Sequence, residues 1–343
     1  MPNAAADTMP ASFLGSKDLA AVLERVAPFG CLDIGARGGV VEDIRPLGRA
    51  AQVYGFEPDR EECARLNRTI DKEPHPFASL RFLPVGLGAR EERRALHIMR
   101  HAGASSLLPP NAEIAGRFAE HSAYFDVERS IEIETTPLDR VIDEHGVVSP
   151  VYMKIDVEGF ELEILKGAEQ LLDSSLLALR SEVAFLPTRQ HQPDFGELAG
   201  YLRRFHLMPM GFLYLASWRS LTGVKHPRKV KGPIPYSRGQ MVHGDVLFLR
   251  DPASLDDGSE AGVKASLRLA FLALLYDYVD VAHDIFKRPA VAAFVHEIIG
   301  ADGLLALGEA SRFLARRHDR RTARVWARNL IKRVTSELKH AFA

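Results

Sequence analysis

The stretch 152-YMKIDVEGFELEILKGAEQLL-172 decides how the chain is organised. An apolar run carries Lys154, Asp156 and Glu158 on alternating positions, breaks at Gly159 and continues with helical spacing. Charge is costly in a core. Three charged residues at the end of a buried strand therefore imply either the open edge of a sheet, where a ligand binds, or mutual pairs that hold a turn. Strand side chains repeat every two residues, so all three can face one side.

The same alternation of strand, turn and helix recurs on both sides of this stretch. Upstream, 30-GCLDI-34 has the character of a short buried strand and runs directly into 35-GARGG-39. A helix-like segment is expected from Val40 to Arg49, a second strand at 52-QVYGFEPD-59, and a helix from Asp59, a natural N-cap, to Asp71. A third strand is expected at 80-LRFLPVGLG-88. In the middle, 94-RALHIMR-100 and 130-SIEIETTPL-138 alternate like half-exposed strands, with 103-GASSLLPPN-111 as a loop between them. Downstream, a helix over 160–172, a strand at 176–185 and a helix at 194–205 continue the pattern. The segments 207–216 and 245–250 suit a closing antiparallel pair. Alternating β and α elements of this kind predict an α/β fold with a mostly parallel sheet.

The chain has 343 residues, 26% of them charged, and a net charge of −1, which gives no global reason to expect nucleic acid as a partner. Its two cysteines, Cys31 and Cys63, have no metal-site spacing and are expected to be reduced, buried thiols. The first residues lack the pattern of a signal peptide. The most apolar late run, 263–282, carries Lys264, Arg268, Asp277 and Asp280, too many charges for a transmembrane segment. A cytoplasmic location follows as an expectation. By composition, 1–24 is an N-terminal extension, 25–250 the main domain, 251–262 a linker and 263–343 a helical C-terminal region suited to homo-oligomer contacts.

A glycine cluster between a strand and a helix lets backbone approach a ligand. Here the order is Asp33, Gly35, Arg37, Gly38, Gly39. The Gly-Lys-Ser/Thr ending of a P-loop is absent, and so is the second glycine of a dinucleotide-binding GxGxxG. Asp33 would oppose a pyrophosphate but suits a cation. Glu57, at the end of the next strand, can accept both hydroxyls of a ribose. An adenosine ligand with an ammonium group and no pyrophosphate fits best, namely S-adenosylmethionine.

The segments 32-LDIGARGG-39, 55-GFEPD-59 and 153-MKIDVEGFELEILKGA-168 resemble the motifs of the FkbM family of S-adenosylmethionine-dependent methyltransferases. So do 103-GASSL-107 and 134-ETTPLDRVI-142. The resemblance covers roughly residues 25–250, and its most specific part is the Lys-Ile-Asp-Val-Glu-Gly run. It implies a class I methyltransferase-like (Rossmann-like) fold and O-methylation of a carbohydrate, glycan or related metabolite. One departure is Arg37, which stands where methyltransferase loops carry their middle glycine.

The resulting cofactor-binding candidates are Asp33, Gly35, Arg37, Gly39, Glu57 and Asp156. Asp156 and Glu182 are the catalytic candidates, acting as a base on the accepting hydroxyl or together holding a divalent metal that acidifies it. Ser105, Ser106, Glu158, His191 and Arg238 are substrate-side candidates. Glu158 has an alternative role as a carboxylate at the start of the following helix, and His191 and His243 are further proton acceptors. Arg238 belongs to the basic segment 219–240, which suits an anionic acceptor. Two rival functions remain: a non-catalytic binding or scaffold protein that keeps this fold, and a nicotinamide-dependent oxidoreductase. Calorimetry with S-adenosylmethionine and NAD separates all three.

Overall fold

The computed structural model describes residues 12–70, 72–220 and 239–341. Ser16, whose hydroxyl accepts the amide of Leu19, opens α1 (Lys17–Val26). The chain then lays down β1 (Phe29–Ile34), β2 (Ala51–Phe56), α2 (Arg60–Ile70) and β3 (Ser79–Leu83), with a 3-10 run at Glu42–Ala50 in place of the expected first helix. Pro46 and the kink at Gly48 keep that run from becoming α-helical. Asp59 caps α2 as expected, its carboxylate accepting from the amides of Glu61 and Glu62.

The segment expected as one strand over 80–88 divides at Pro84, because β4 (Gly86–Leu87) leaves for a second sheet with β5 (Glu92–Met99) and, after α3 (Ala112–Arg117), β6 (Val127–Thr136). Then follow α4 (Leu138–His145), β7 (Pro150–Ile155), α5 (Glu161–Lys166), α6 (Glu169–Ser174), β8 (Ala178–Ala184), α7 (Phe195–Arg203), β9 (Leu207–Trp218) and β10 (Gln240–Arg250). The helix expected over 160–172 is two helices. Gly167 sits between them because backbone packs there: a Cβ would lie 2.1 Å from the Gly88 carbonyl oxygen. The Asp139 carboxylate accepts the amides of Gln170 and Leu171 and so starts α6.

The main sheet has the order β3-β2-β1-β7-β8-β10-β9. All neighbours are parallel except the β8–β10 and β10–β9 pairs, which close one edge antiparallel. The strand order reverses between β1 and β7, and a doubly wound sheet binds ligands at the carboxyl ends of the strands beside such a switch point. This is the expected Rossmann-like α/β fold.

The C-terminal region is helical: α8 (Glu260–Leu275), α9 (Val279–Phe286), α10 (Pro289–Ile299) and α11 (Gly303–Ala341). It is not set apart by a free linker. Leu267, Phe271 and Leu274 of α8 share one core cluster with Leu19 and Leu23 of α1 and with Phe29, Tyr152 and Leu247 of the sheet. The expected linker 251–262 is pinned, since Arg288 reaches Asp257 at 3.0 Å and the Pro252 carbonyl at 2.7 Å. Likewise α1, placed by composition in an N-terminal extension, is part of that core. The opposite face of the sheet packs Leu32, Met153, Ile155 and Phe248 against α4 to α7. Among the described residues no single helix is long and apolar enough to cross a membrane. Only the pair formed by Pro289–Ile299 and Gly303–Arg328, bent by 85°, passes a length and composition test.

Candidate active site

A cleft of about 660 Å³ opens at the switch point. Its apolar walls include Ile34, Phe56, Leu87, Leu96 and Phe160, and its polar rim includes Arg37, Glu57, Ser105, Ser106 and Asp156.

Gly35 at the end of β1 has φ +77°, and a Cβ there would lie 1.9 Å from the Asp156 carbonyl oxygen. Only glycine lets the β1 loop lie this close to the β7 end. Glu57, buried at the end of β2, accepts the Asp59 amide at 2.9 Å through Oε1. Burial pushes its carboxyl above the ordinary range, with the Asp59 amide and Arg37 opposing. Arg37 stands 3.5 Å from Glu57 and 3.0 Å from Asp59. The arginine that replaces a loop glycine thus neutralises the carboxylates at the β2 end.

Asp33 lies elsewhere than expected. It is buried beneath the loop, accepts the Val41 amide at 2.7 Å and faces Lys154 at 3.3 Å. The cation it meets is the protein's own. Lys154 also donates to the Gly35 carbonyl at 3.2 Å and reaches Asp156 at 3.5 Å. Burial would lower the Lys154 ammonium, but the charges of Asp33 and Asp156 outweigh this and raise it. Gly39 lies outside the cleft, in a tight turn whose amide bonds back to the Ala36 carbonyl.

Beside the cleft, Asp156, Glu158 and Glu182 bring carboxylate oxygens within 4.8 Å of one another. The charges in 152–159 therefore do both things expected of them: Lys154 and Asp156 pair, and the acidic ends gather at the sheet edge. Glu158 is turned by a left-handed backbone, φ +59°. Its carboxylate meets the buried Arg189 at 3.3 Å, and its carbonyl accepts the Ser106 hydroxyl at 2.9 Å. Burial, reinforced by the charge of Glu182, holds Glu158 well above the ordinary carboxyl range, with Arg189 opposing. Burial also raises Glu182, with Asp156, Glu161 and Asp245 adding to it. Glu182 Oε1 lies 2.7 Å from His243 Nδ1, at hydrogen-bond distance.

The helix-start carboxylate considered for Glu158 is Glu161, which accepts the amides of Val157 and Gly159 at 3.0 and 3.1 Å. Burial pushes its carboxyl to about 7. Ser105 lines the cleft, but its hydroxyl already bonds the Ala102 carbonyl and the Met99 amide. Ser106 is likewise engaged, by Glu158 and the Leu108 amide. His191 is exposed in the loop after β8 and does not line the cleft. Arg238 lies outside the described residues. Arg189, whose guanidinium donates to the Ala104 carbonyl at 2.7 Å and ties the 102–108 loop to Glu158, was not singled out from the sequence. Nothing local distinguishes it there from any loop arginine.

The acidic trio does not fit a metal site well. Each carboxylate already has a basic partner: Lys154 for Asp156, Arg189 for Glu158 and His243 for Glu182. A divalent ion would enter a cluster whose negative charge is already offset.

A Rossmann-like sheet with a cleft at its switch point, a buried carboxylate at the β2 end and acidic residues past β7 and β8 is the arrangement of a methyltransferase-type enzyme. The chain belongs to the methyltransferase FkbM domain family, whose sequence profile matches residues 33–206. It is 32% identical over 124 residues to the hexuronic acid methyltransferase AglP of Haloferax volcanii, an alignment covering 36% of this chain and 44% of that protein. The chain thus matches less than half the length of this curated relative. It also aligns with the crystal structure of a methyltransferase FkbM from Methylobacillus flagellatus, at 17% identity and a TM-score of 0.36, over 64% of this chain and 44% of the other.

Proposed function

We propose that the protein transfers a methyl group from S-adenosylmethionine to a hydroxyl of a carbohydrate, with a sugar of the hexuronic acid type as the first acceptor to test. The observation that carries this reading is the junction of two environments in one cleft: apolar walls with Glu57 at one end and the Asp156–Glu158–Glu182 cluster at the other. The first end suits an adenosine, with its base between Ile34, Phe56 and Leu87 and its ribose hydroxyls donating to Glu57. Bound there, S-adenosylmethionine supplies an electrophilic methyl group. Gly35 and Asp156 border the place where its amino acid end and sulfonium would lie, and Phe160 and Leu96 help exclude water.

The acidic end favours a hydroxyl over a carboxylate as acceptor. A hexuronic acid offers both, but a further anion beside Asp156 and its acidic neighbours is unfavourable, whereas a hydroxyl can donate to them. The relative's name supports the carbohydrate class.

Calorimetry on the full-length protein tests the cofactor half: S-adenosylmethionine should bind and NAD should not. Mass spectrometry of glycans and sugar metabolites from cells with and without the protein tests the acceptor half. Species heavier by one methylene should depend on the protein. Binding without such products would favour a non-catalytic role.

A further inference from the structure

We propose that His243 is the proton acceptor in this methyl transfer and that Glu182 is the positioning residue that holds it. The inference rests on the O-methyltransferase reading above and goes beyond it by assigning the proton.

The argument starts from strand register. Asp245 of β10 lies directly opposite Glu182 of β8, and His243 lies opposite Ala184. Alternation along a strand puts Glu182, Ala184, His243 and Asp245 on one face, with His243 diagonal to Glu182. The imidazole spans that diagonal and places Nδ1 2.7 Å from Glu182 Oε1. Tyr214 and Trp218 of β9 wall the ring edge-on, with centroids 6.0 and 5.9 Å away. Three strands therefore fix one ring orientation. Its opposite nitrogen, Nε2, makes no hydrogen bond among those found for the described residues.

Glu182 is poorly placed to act alone. Its side chain is 9% exposed against 27% for His243, and one of its oxygens is already bonded to the ring. A carboxylate that accepts Nδ1–H selects the tautomer with a free lone pair on Nε2, and it stabilises the imidazolium formed when that lone pair takes a proton. The dyad also adjoins the methyl donor's end of the cleft, because the Glu182 carboxylate lies within 4.8 Å of that of Asp156, which lines the cleft.

The step balances as follows. The acceptor oxygen forms a bond to the methyl carbon while the carbon–sulfur bond breaks, its electron pair staying on sulfur. The hydroxyl proton passes to His243 Nε2. The products are a methyl ether, the neutral thioether and an imidazolium, so the sulfonium's positive charge ends on the ring.

The test has two arms. The first needs no acceptor: long-range proton–nitrogen correlation spectra of the histidine rings in the full-length protein at neutral pH, with His243 assigned by its loss in His243→Gln. The expected result is a proton on Nδ1 and none on Nε2, a preference lost in Glu182→Gln, whose amide can donate to Nδ1. A ring protonated on Nε2 in the wild type overturns the proposal. The second arm follows transfer of labelled methyl from S-adenosylmethionine to methyl glucuronoside. His243→Gln should lower kcat by about two to four orders of magnitude, with KM for the sugar and affinity for S-adenosylmethionine little changed. The product should resist mild alkali, as an ether does and a methyl ester does not. Full activity in His243→Gln, or an ester product, overturns the proposal. No transfer by the wild type counts against the carbohydrate acceptor, and the dyad then stands or falls on the ring tautomer.

Discussion

Glu57→Ala tests the cofactor end of the cleft most directly. The side chain is buried, and its loss removes the acceptor of the Asp59 amide at 2.9 Å. Arg37 loses its 3.5 Å partner but keeps Asp59 at 3.0 Å, so the loop retains one anchor. An amide left without its acceptor costs about 1–3 kcal/mol, a melting-temperature drop the protein should survive. Binding suffers separately. A hydrogen bond to a charged group is worth about 1.5–3 kcal/mol, and each ~1.4 kcal/mol is tenfold in affinity. S-adenosylmethionine should therefore bind roughly tenfold to a hundredfold more weakly. Glu57→Gln, which still offers an oxygen to the Asp59 amide, should keep more of the stability while losing affinity. Calorimetry paired with thermal melting separates the two effects. Unchanged affinity in a folded Glu57→Ala protein would refute the ribose assignment.

Three further outcomes are expected. Asp156→Asn should lower turnover by about two orders of magnitude, the scale of a lost electrostatic group in an active site. It should leave melting nearly unchanged, since its carboxylate is 42% exposed and Lys154 keeps Asp33; full activity removes Asp156 from the chemistry. Glu161 has its carboxyl raised to about 7 from an ordinary 4.5, so its contribution is fully present below the ordinary value and is lost as pH rises through the folded one. Glu161→Gln keeps an oxygen for the Val157 and Gly159 amides. It should be nearly neutral at pH 4.5 and stabilising above pH 7, by on the order of 3 kcal/mol, and a melting curve that is equally pH-dependent in both proteins would refute this. Finally, a fragment ending at residue 255 should fail to fold. It lacks α8, whose buried Leu267, Leu269, Phe271, Leu272 and Leu274 are each worth about 1.5–3 kcal/mol, against a total stability of about 5–15 kcal/mol. A soluble fragment that binds S-adenosylmethionine would show the helices to be separable after all.

That last prediction reverses what composition suggested, and the reason is physical. Residues 251–262 have the polar, glycine-bearing look of a linker, but their ties to Arg288 are long-range and invisible locally. The clue lay in 269-LAFLALL-275, apolar without a break, which is the mark of a helix buried on every side. The parallel sheet, by contrast, was legible because strand, glycine turn and helix alternate within short windows. At the site, the spacing of Lys154, Asp156 and Glu158 was readable because three alternating charges in an apolar run demand a reason. Which carboxylate would start the next helix was not, because Glu158 and Glu161 flank the same turn and the left-handed backbone at Glu158 decides between them. Arg189, and the meeting of His243 with Glu182, depend on segments 31 and 61 residues apart in the chain. Only the folded sheet brings them together.

The shared core of α1 and α8 has a consequence for how the protein is made. The partner surface for residues 17–26 is encoded at residues 260–275, so it leaves the ribosome long after α1 does. At roughly 5–20 residues per second, the growing polypeptide spends on the order of ten to fifty seconds with Leu19, Val22 and Leu23 lacking that cover. A vectorial, strand-by-strand assembly can shape the switch point early, yet it cannot seal this face. The nascent chain should therefore be a client of ribosome-associated chaperones until α8 emerges to cover this face.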